Sequence, residues 1–126
     1  MKIIEAINQI DSQKPNTYSY AEKLSWLSRL DFMVKRLIID THEGGDDVEF
    51  TGYDASTDQN TEMLVPAPFD EMYIRWLEAQ IDYANEEYDR YNNAVLMYQT
   101  AYDGFSAWYN RNHMPKSKSI QYFWRG

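Results

Sequence analysis

From Leu77 to Tyr109, the side chains Leu77, Ile81, Ala84, Tyr88, Tyr91, Val95, Tyr98, Tyr102, Phe105 and Tyr109 recur at alternating intervals of four and three residues. That alternation is a heptad, and on a helix it draws one continuous apolar stripe. No proline interrupts residues 69 to 113. A single helix of that span would be roughly 65 Å long at about 1.5 Å per residue. A compact domain of this length has a radius of gyration of only about 14 Å. The helix must therefore project toward other subunits, or it must break. Its weakest stretch is "ANEEYDRYNN", because Asn85, Asn92 and Asn93 are poor helix formers that favour turns. The reading is two long C-terminal helices, about 69–85 and 87–112, or one helix kinked near Asn85.

Upstream, Ile3, Ala6, Ile7 and Ile10 share one helical face, which predicts a short N-terminal helix ended by Pro15. "SYAE" sets Ser19 three residues before Glu22, the spacing of a capping box. Behind it Leu27, Leu30, Val34, Leu37 and Ile38 form an apolar stripe flanked by Trp26 and Met33, while Arg29, Asp31, Lys35 and Arg36 lie mostly off it. His42 and the pair Gly44–Gly45 mark the stop, giving a helix over about 19–42. Periodicity then vanishes in an acidic stretch. "VEFTGY" and "TEMLV" are short runs of strand formers, which predict an acidic loop or a small β-hairpin over about 46–65. The fold class is therefore all-α, a helical bundle with that insertion. One domain spans residues 1–113, and a basic, aromatic C-terminal arm, expected to be flexible, spans 114–126.

The 126 residues carry a net charge of −8, unevenly spread. Residues 1–110 hold all 20 acids and eight of the 12 bases, a body at −12 with four bases behind it. An acidic body repels phosphate, so neither sequence-specific nor general nucleic-acid binding is expected. Without cysteine the chain has no disulfide, thiolate or cysteine–zinc chemistry. "MKIIEAINQID" is too short and too charged for a signal peptide, and no stretch is long and apolar enough to span a bilayer. These features predict synthesis in the cytoplasm and no membrane partner.

No arrangement in the sequence points to catalysis. His42 and His113 each sit near a predicted helix end, where an imidazolium suits the helix dipole. "DASTDQNTE" fits a calcium loop only in part: Asp54, Ser56 and Asp58 match ligand positions, but Gln59 replaces the turn glycine and Val65 stands where the bidentate glutamate belongs. A solvated turn explains it better. The expectation is no enzyme activity, no catalytic residue, no metal and no cofactor.

The aromatics are then left for packing and contact. Seven of the 11 tyrosines fall between residues 73 and 109, more than one small core hides comfortably. Tyrosine suits half-buried surfaces because its ring packs while its hydroxyl stays hydrated. The candidate protein-interface residues are Tyr88, Tyr91, Tyr98, Tyr102, Trp108 and Tyr109 on the last helix, with Ile120, Tyr122, Phe123, Trp124 and Arg125 on the arm.

The layout "INQIDSQKPNTYSYAEKLSWLSRLDFMVKRLIIDTHEGG", then "MLVPAPFDEMYIRWLEAQIDYANEEYDRYNNAV", then "YNRNHMP", resembles head–tail connector (adaptor, head-completion) proteins of tailed phages and prophages of Gram-positive bacteria. The resemblance covers about residues 4 to 115 and rests on helices and aromatics. It implies a mainly helical subunit that forms a dodecameric or similar ring below the portal, with the portal and other neck proteins as partners and the virion neck as its place. An acidic lumen would let DNA slide. The acidic segment 43–63 is longer than a minimal adaptor needs. The competing reading is a small acidic regulator or inhibitor that binds one cellular protein, a DNA mimic being one form of it; a carboxylate hydrolase around 43–63 ranks third.

Overall fold

Ile3, Ala6, Ile7 and Ile10 line one side of a helix over Ile3–Gln13 (α1) and are all buried in the computed structural model, which describes residues 1–116. Four α-helices are found among the described residues: α1, α2 (Tyr20–Leu37), α3 (Glu71–Ala84) and α4 (Tyr88–Asn112). The all-α class expected from the sequence is the one observed.

Pro15 forces Lys14 into extended backbone and ends α1. Lys23 of α2 then reaches back to Asp11 at 2.6 Å and to Asn16 at 3.1 Å, which fixes the angle between the first two helices. Ser19 caps α2 as its spacing predicts, its Oγ accepting from the Glu22 amide at 3.1 Å. The Glu22 carboxylate turns to the same hydroxyl (3.3 Å), so the box is only half closed.

The end of α2 differs from the expectation. The α-helix stops at Leu37, and Ile39–Thr41 continue as a 3-10 turn, short of residue 42. Two side chains capture the Ile38 carbonyl: Thr41 Oγ1 donates to it at 2.8 Å and His42 Nδ1 lies 2.6 Å from it. The tightened turn buries the adjacent Ile38 and Ile39 together. Gly44 follows in left-handed backbone (φ 83°). At Gly45 a Cβ would stand 2.0 Å from the Ile39 carbonyl oxygen, so the chain passes only because there is no side chain.

The β-hairpin alternative for 46–65 is not what forms; among the described residues this segment is a loop. Its end pairs instead with the start of the chain. Thr61 and Gln59 carbonyls accept from the amides of Ile3 and Ile4 at 3.1 and 2.9 Å, and Met63 N donates to the Met1 carbonyl at 3.1 Å. Those are free donors at the N-terminus of α1, so the loop caps a helix rather than pairing with itself. "VEFTGY" in turn lays Phe50 against Phe32 of α2 (4.8 Å between ring centres).

The break in the heptad run falls where composition placed it. Asn85 ends α3, and Glu86 takes a left-handed conformation (φ 59°) that turns the chain back. Tyr18 Oη donates to Asn85 Oδ1 at 2.6 Å and holds the corner. The two-helix form of the prediction is therefore the observed one. α3 is the central helix, its Tyr73, Leu77 and Ile81 fully buried among α1, α2 and α4. α4 has 25 residues against 14 in α3. At about 1.5 Å per residue it overhangs its partner by more than 10 Å. Phe69, packed on Phe105 and Trp108, and His42, packed on Tyr109, cover that overhang.

Candidate interaction surfaces

The aromatic stripe of α4 divides by environment. Tyr109 belongs to the core, 4.9 Å from the His42 ring and stacked on His113 at 3.8 Å. Trp108 is half-buried against Phe69 and Phe105, and Tyr98 against Trp76 at 5.1 Å. Tyr102 packs beside Tyr98, and Tyr91 beside Tyr83. Burial pushes the hydroxyls of Tyr98, Tyr102 and Tyr109 above the usual phenol range, with Asp103 adding to the shift at Tyr98 and Tyr102 and Asp40 at Tyr109. Tyr88 alone of these six is exposed. Ile120, Tyr122, Phe123, Trp124 and Arg125 lie outside the described residues. The start of the expected arm does lie within them: Glu43 N donates to the Met114 carbonyl (2.8 Å) and Lys116 N to the Thr41 carbonyl (3.2 Å), so this strip runs along the turn after α2.

Two residues that the heptad did not mark stand out on α4. Leu96 is 66% exposed and Met97 is half exposed. Leu96 lies seven residues from both Asp89 and Asp103, on the side of α4 turned away from α3. With Glu86 and Glu87 near the helix start, this face carries an exposed leucine among Asn92, Asn93, Gln99 and Thr100, with carboxylates toward its ends.

A second surface runs along α2. An open groove of about 760 Å³ lies between one side of α2 and the loop residues Tyr53–Ala55. Tyr20, Phe32, Met33 and Leu37 supply its apolar walls, and Arg29, Arg36 and Asp54 its charged groups. Leu37, read from the sequence as part of the core stripe, is 62% exposed, because the helix ends there and the chain turns inward only at Ile38. Arg29 and Arg36 are seven residues apart on the same face, with no acidic partner among the described residues. Most other bases are paired: Lys14 lies 2.6 Å from Asp82 Oδ1, without hydrogen-bond alignment, and Lys35 pairs with Asp40, Arg75 with Glu71, Arg90 with Glu87 and Lys116 with Asp46. The Arg29–Phe32–Met33–Arg36–Leu37 spacing was readable as a second helical face but was hidden as the flank of the core stripe.

The groove's far wall is held by a buried carboxylate that sequence reading placed mostly off the apolar stripe. Asp31 is 0% exposed. It accepts from Tyr73 Oη (2.7 Å), Tyr53 Oη (2.5 Å) and the Leu64 amide (3.2 Å), and Tyr73 Oη itself accepts from the Val65 amide (2.8 Å). Burial raises the Asp31 carboxyl above its usual range against the pull of these donors, and burial and the neighbouring carboxylate raise both tyrosines. Sealed from solvent, the group ties α2, the loop and α3 together.

His42 and His113, expected at helix ends, both face a carbonyl four residues back, Ile38 at 2.6 Å and Tyr109 at 3.2 Å. His42 Nε2 also meets Asn110 Oδ1 at 2.7 Å. The Asp54 carboxylate is spent inside its own turn, accepting from the Ser56 amide and hydroxyl, which lowers its pKa. Among the described residues no group of three or more carboxylate or imidazole side chains converges to hold a metal ion, and no helix is long and apolar enough to cross a membrane. No protein-family model, curated protein or solved structure matches the chain.

Proposed function

We infer that the protein is a structural assembly subunit that acts through protein–protein contacts, in the manner of the head–tail connector proteins it resembles. In that role several copies form a ring below the portal of a tailed phage or prophage, and the portal and neck proteins are its other partners. The observation that carries the reading is the set of exposed apolar side chains, Phe32 and Leu37 on α2 and Tyr88, Leu96 and Met97 on α4. Such side chains in quantity on a small acidic domain support contact with other chains. A net charge of −8 fits a lumen through which DNA passes without sticking.

A second reading, a small regulator that binds one cellular protein, draws support from the arginine-bearing groove, which suits one acidic segment. The mass in solution with and without the purified portal of the encoding phage or prophage separates the two. The connector reading predicts a complex carrying several copies of the 15.0 kDa chain. A chain that remains apart from the portal at every ratio would overturn it.

A further inference from the structure

Both exposed faces set an apolar side chain among charged ones. On α2, Phe32 and Met33 lie between Arg29 and Arg36, and both arginines lack an acidic partner among the described residues. On α4, Leu96 lies between Asp89 and Asp103, with Glu86, Glu87 and Tyr88 at the helix start. On α2 the flanking charges stand seven residues apart, and on α4 each stands seven residues from Leu96, so on both helices charge recurs along one side at the heptad period. The signs are opposite. The groove is open along α2 and large enough for several side chains of a docked helix.

We propose that the α2 groove of one copy receives the outer face of the first half of α4 from a second copy. This inference rests on the assembly reading and names the surfaces it uses. Net charge favours this occupant over indiscriminate association. Two molecules at −8 repel one another, so a contact between copies has to bring a locally basic site onto a locally acidic one. Arg29 and Arg36 form such a basic site, since the groove's one carboxylate, Asp54, is turned onto Ser56 of its own loop, and the 86–103 stretch opposes it with four acids against Arg90, itself paired with Glu87. The two faces are different surfaces of one subunit, so the contact is head-to-tail: each copy keeps one unused groove and one unused helix face. Repetition then closes a ring or extends a filament, according to the angle between neighbours.

The test uses the full chain and two variants at exposed positions, Arg29→Glu with Arg36→Glu, and Leu96→Asp, each first checked for an unchanged helical spectrum and melting temperature. Sedimentation velocity at low salt is expected to show concentration-dependent association of the unaltered chain that weakens at high salt. Each variant alone is expected to lose association by about 100-fold or more, as central contact residues do. Mixing the two is the sharper arm. The arginine variant keeps its helix face and the leucine variant keeps its groove, so together they are expected to form a one-to-one pair and nothing larger. An unaltered chain that stays monomeric up to about 1 mM, the weak end of specific association, overturns the contact and self-assembly with it. Association that persists in both variants, or a mixture that forms no pair, overturns the assignment of these faces while leaving the assembly reading standing.

Discussion

Replacing Tyr73 with phenylalanine removes one oxygen atom and breaks two interactions at once. The hydroxyl donates to Asp31 at 2.7 Å and accepts from the Val65 amide at 2.8 Å, and Asp31, Val65 and Tyr73 are each 0% exposed. A hydrogen bond to a carboxylate contributes about 1.5–3 kcal/mol, and a buried amide left without an acceptor costs about 1–3 kcal/mol. With partial relaxation the expected loss is about 3 kcal/mol, a large share of the roughly 5–15 kcal/mol that stabilises a domain. For a chain of this size that lowers the melting temperature by about 10 °C. Thermal and urea unfolding followed by circular dichroism measures it. Combining the change with Asp31→Asn should give a non-additive result, because the two residues share one network. A shift under about 3 °C, or strict additivity, would refute the claim that this network ties the loop to α2 and α3.

Gly45→Ala should destabilise by about 1–3 kcal/mol, since its Cβ would lie 2.0 Å from a backbone oxygen that cannot swing away; an unchanged melting temperature would contradict the close approach. Ser19→Ala should cost about 1 kcal/mol by thermal melting, the usual worth of an N-cap. Glu86→Gly should leave stability unchanged or raise it by up to about 1 kcal/mol, because glycine accepts the left-handed backbone that glutamate adopts under strain; a clear loss would mean the α3–α4 corner is built differently. The pH dependence has a definite sign. The folded Asp31 carboxyl binds its proton more tightly than in the unfolded chain, so its contribution is complete below its ordinary value of 3.8 and is lost as pH rises through the raised value. The stability difference between the unaltered chain and Asp31→Asn should therefore shrink as pH rises through that window, and a difference that grows would show that the tyrosine donors outweigh burial.

The parts of the fold that were legible are those set by neighbours in sequence. The heptad stripe predicted α3 and α4, and Asn85 beside Glu86 broke it because one left-handed residue there turns the chain locally, at a corner that Tyr18 then holds. Ser19 likewise caps a helix through an atom three residues away. What was hidden depends on distant partners. Asp31 reads as an exposed acid until Tyr53 and Tyr73, 22 and 42 residues on, supply its donors. The strand-forming runs 48–53 and 61–65 have the right composition to pair, yet Met1 and Ile3 compete for the second and Phe32 holds the first. The early end of α2 follows from His42 and Thr41 turning back on Ile38, and that turn is what leaves Leu37 at the edge of the groove. Of the six residues of α4 that the sequence offered for contact, Tyr88 is the exposed one. The exposure of Leu96, Phe32 and Arg36 was not marked, because an exposed apolar side chain among polar ones leaves no periodic signal distinct from an ordinary solvated flank.

Hydroxyl-radical footprinting of the full chain, dilute and assembled, tests the central claim most directly, because it reads the exposure of individual side chains. Phe32, Leu37, Leu96 and Met97 should label readily when dilute and become protected on assembly, whereas Met114, 68% exposed and on neither face, should label equally in both. Equal labelling of all five in a sample whose mass shows assembly would contradict the account, because the contacts would then lie elsewhere on the molecule.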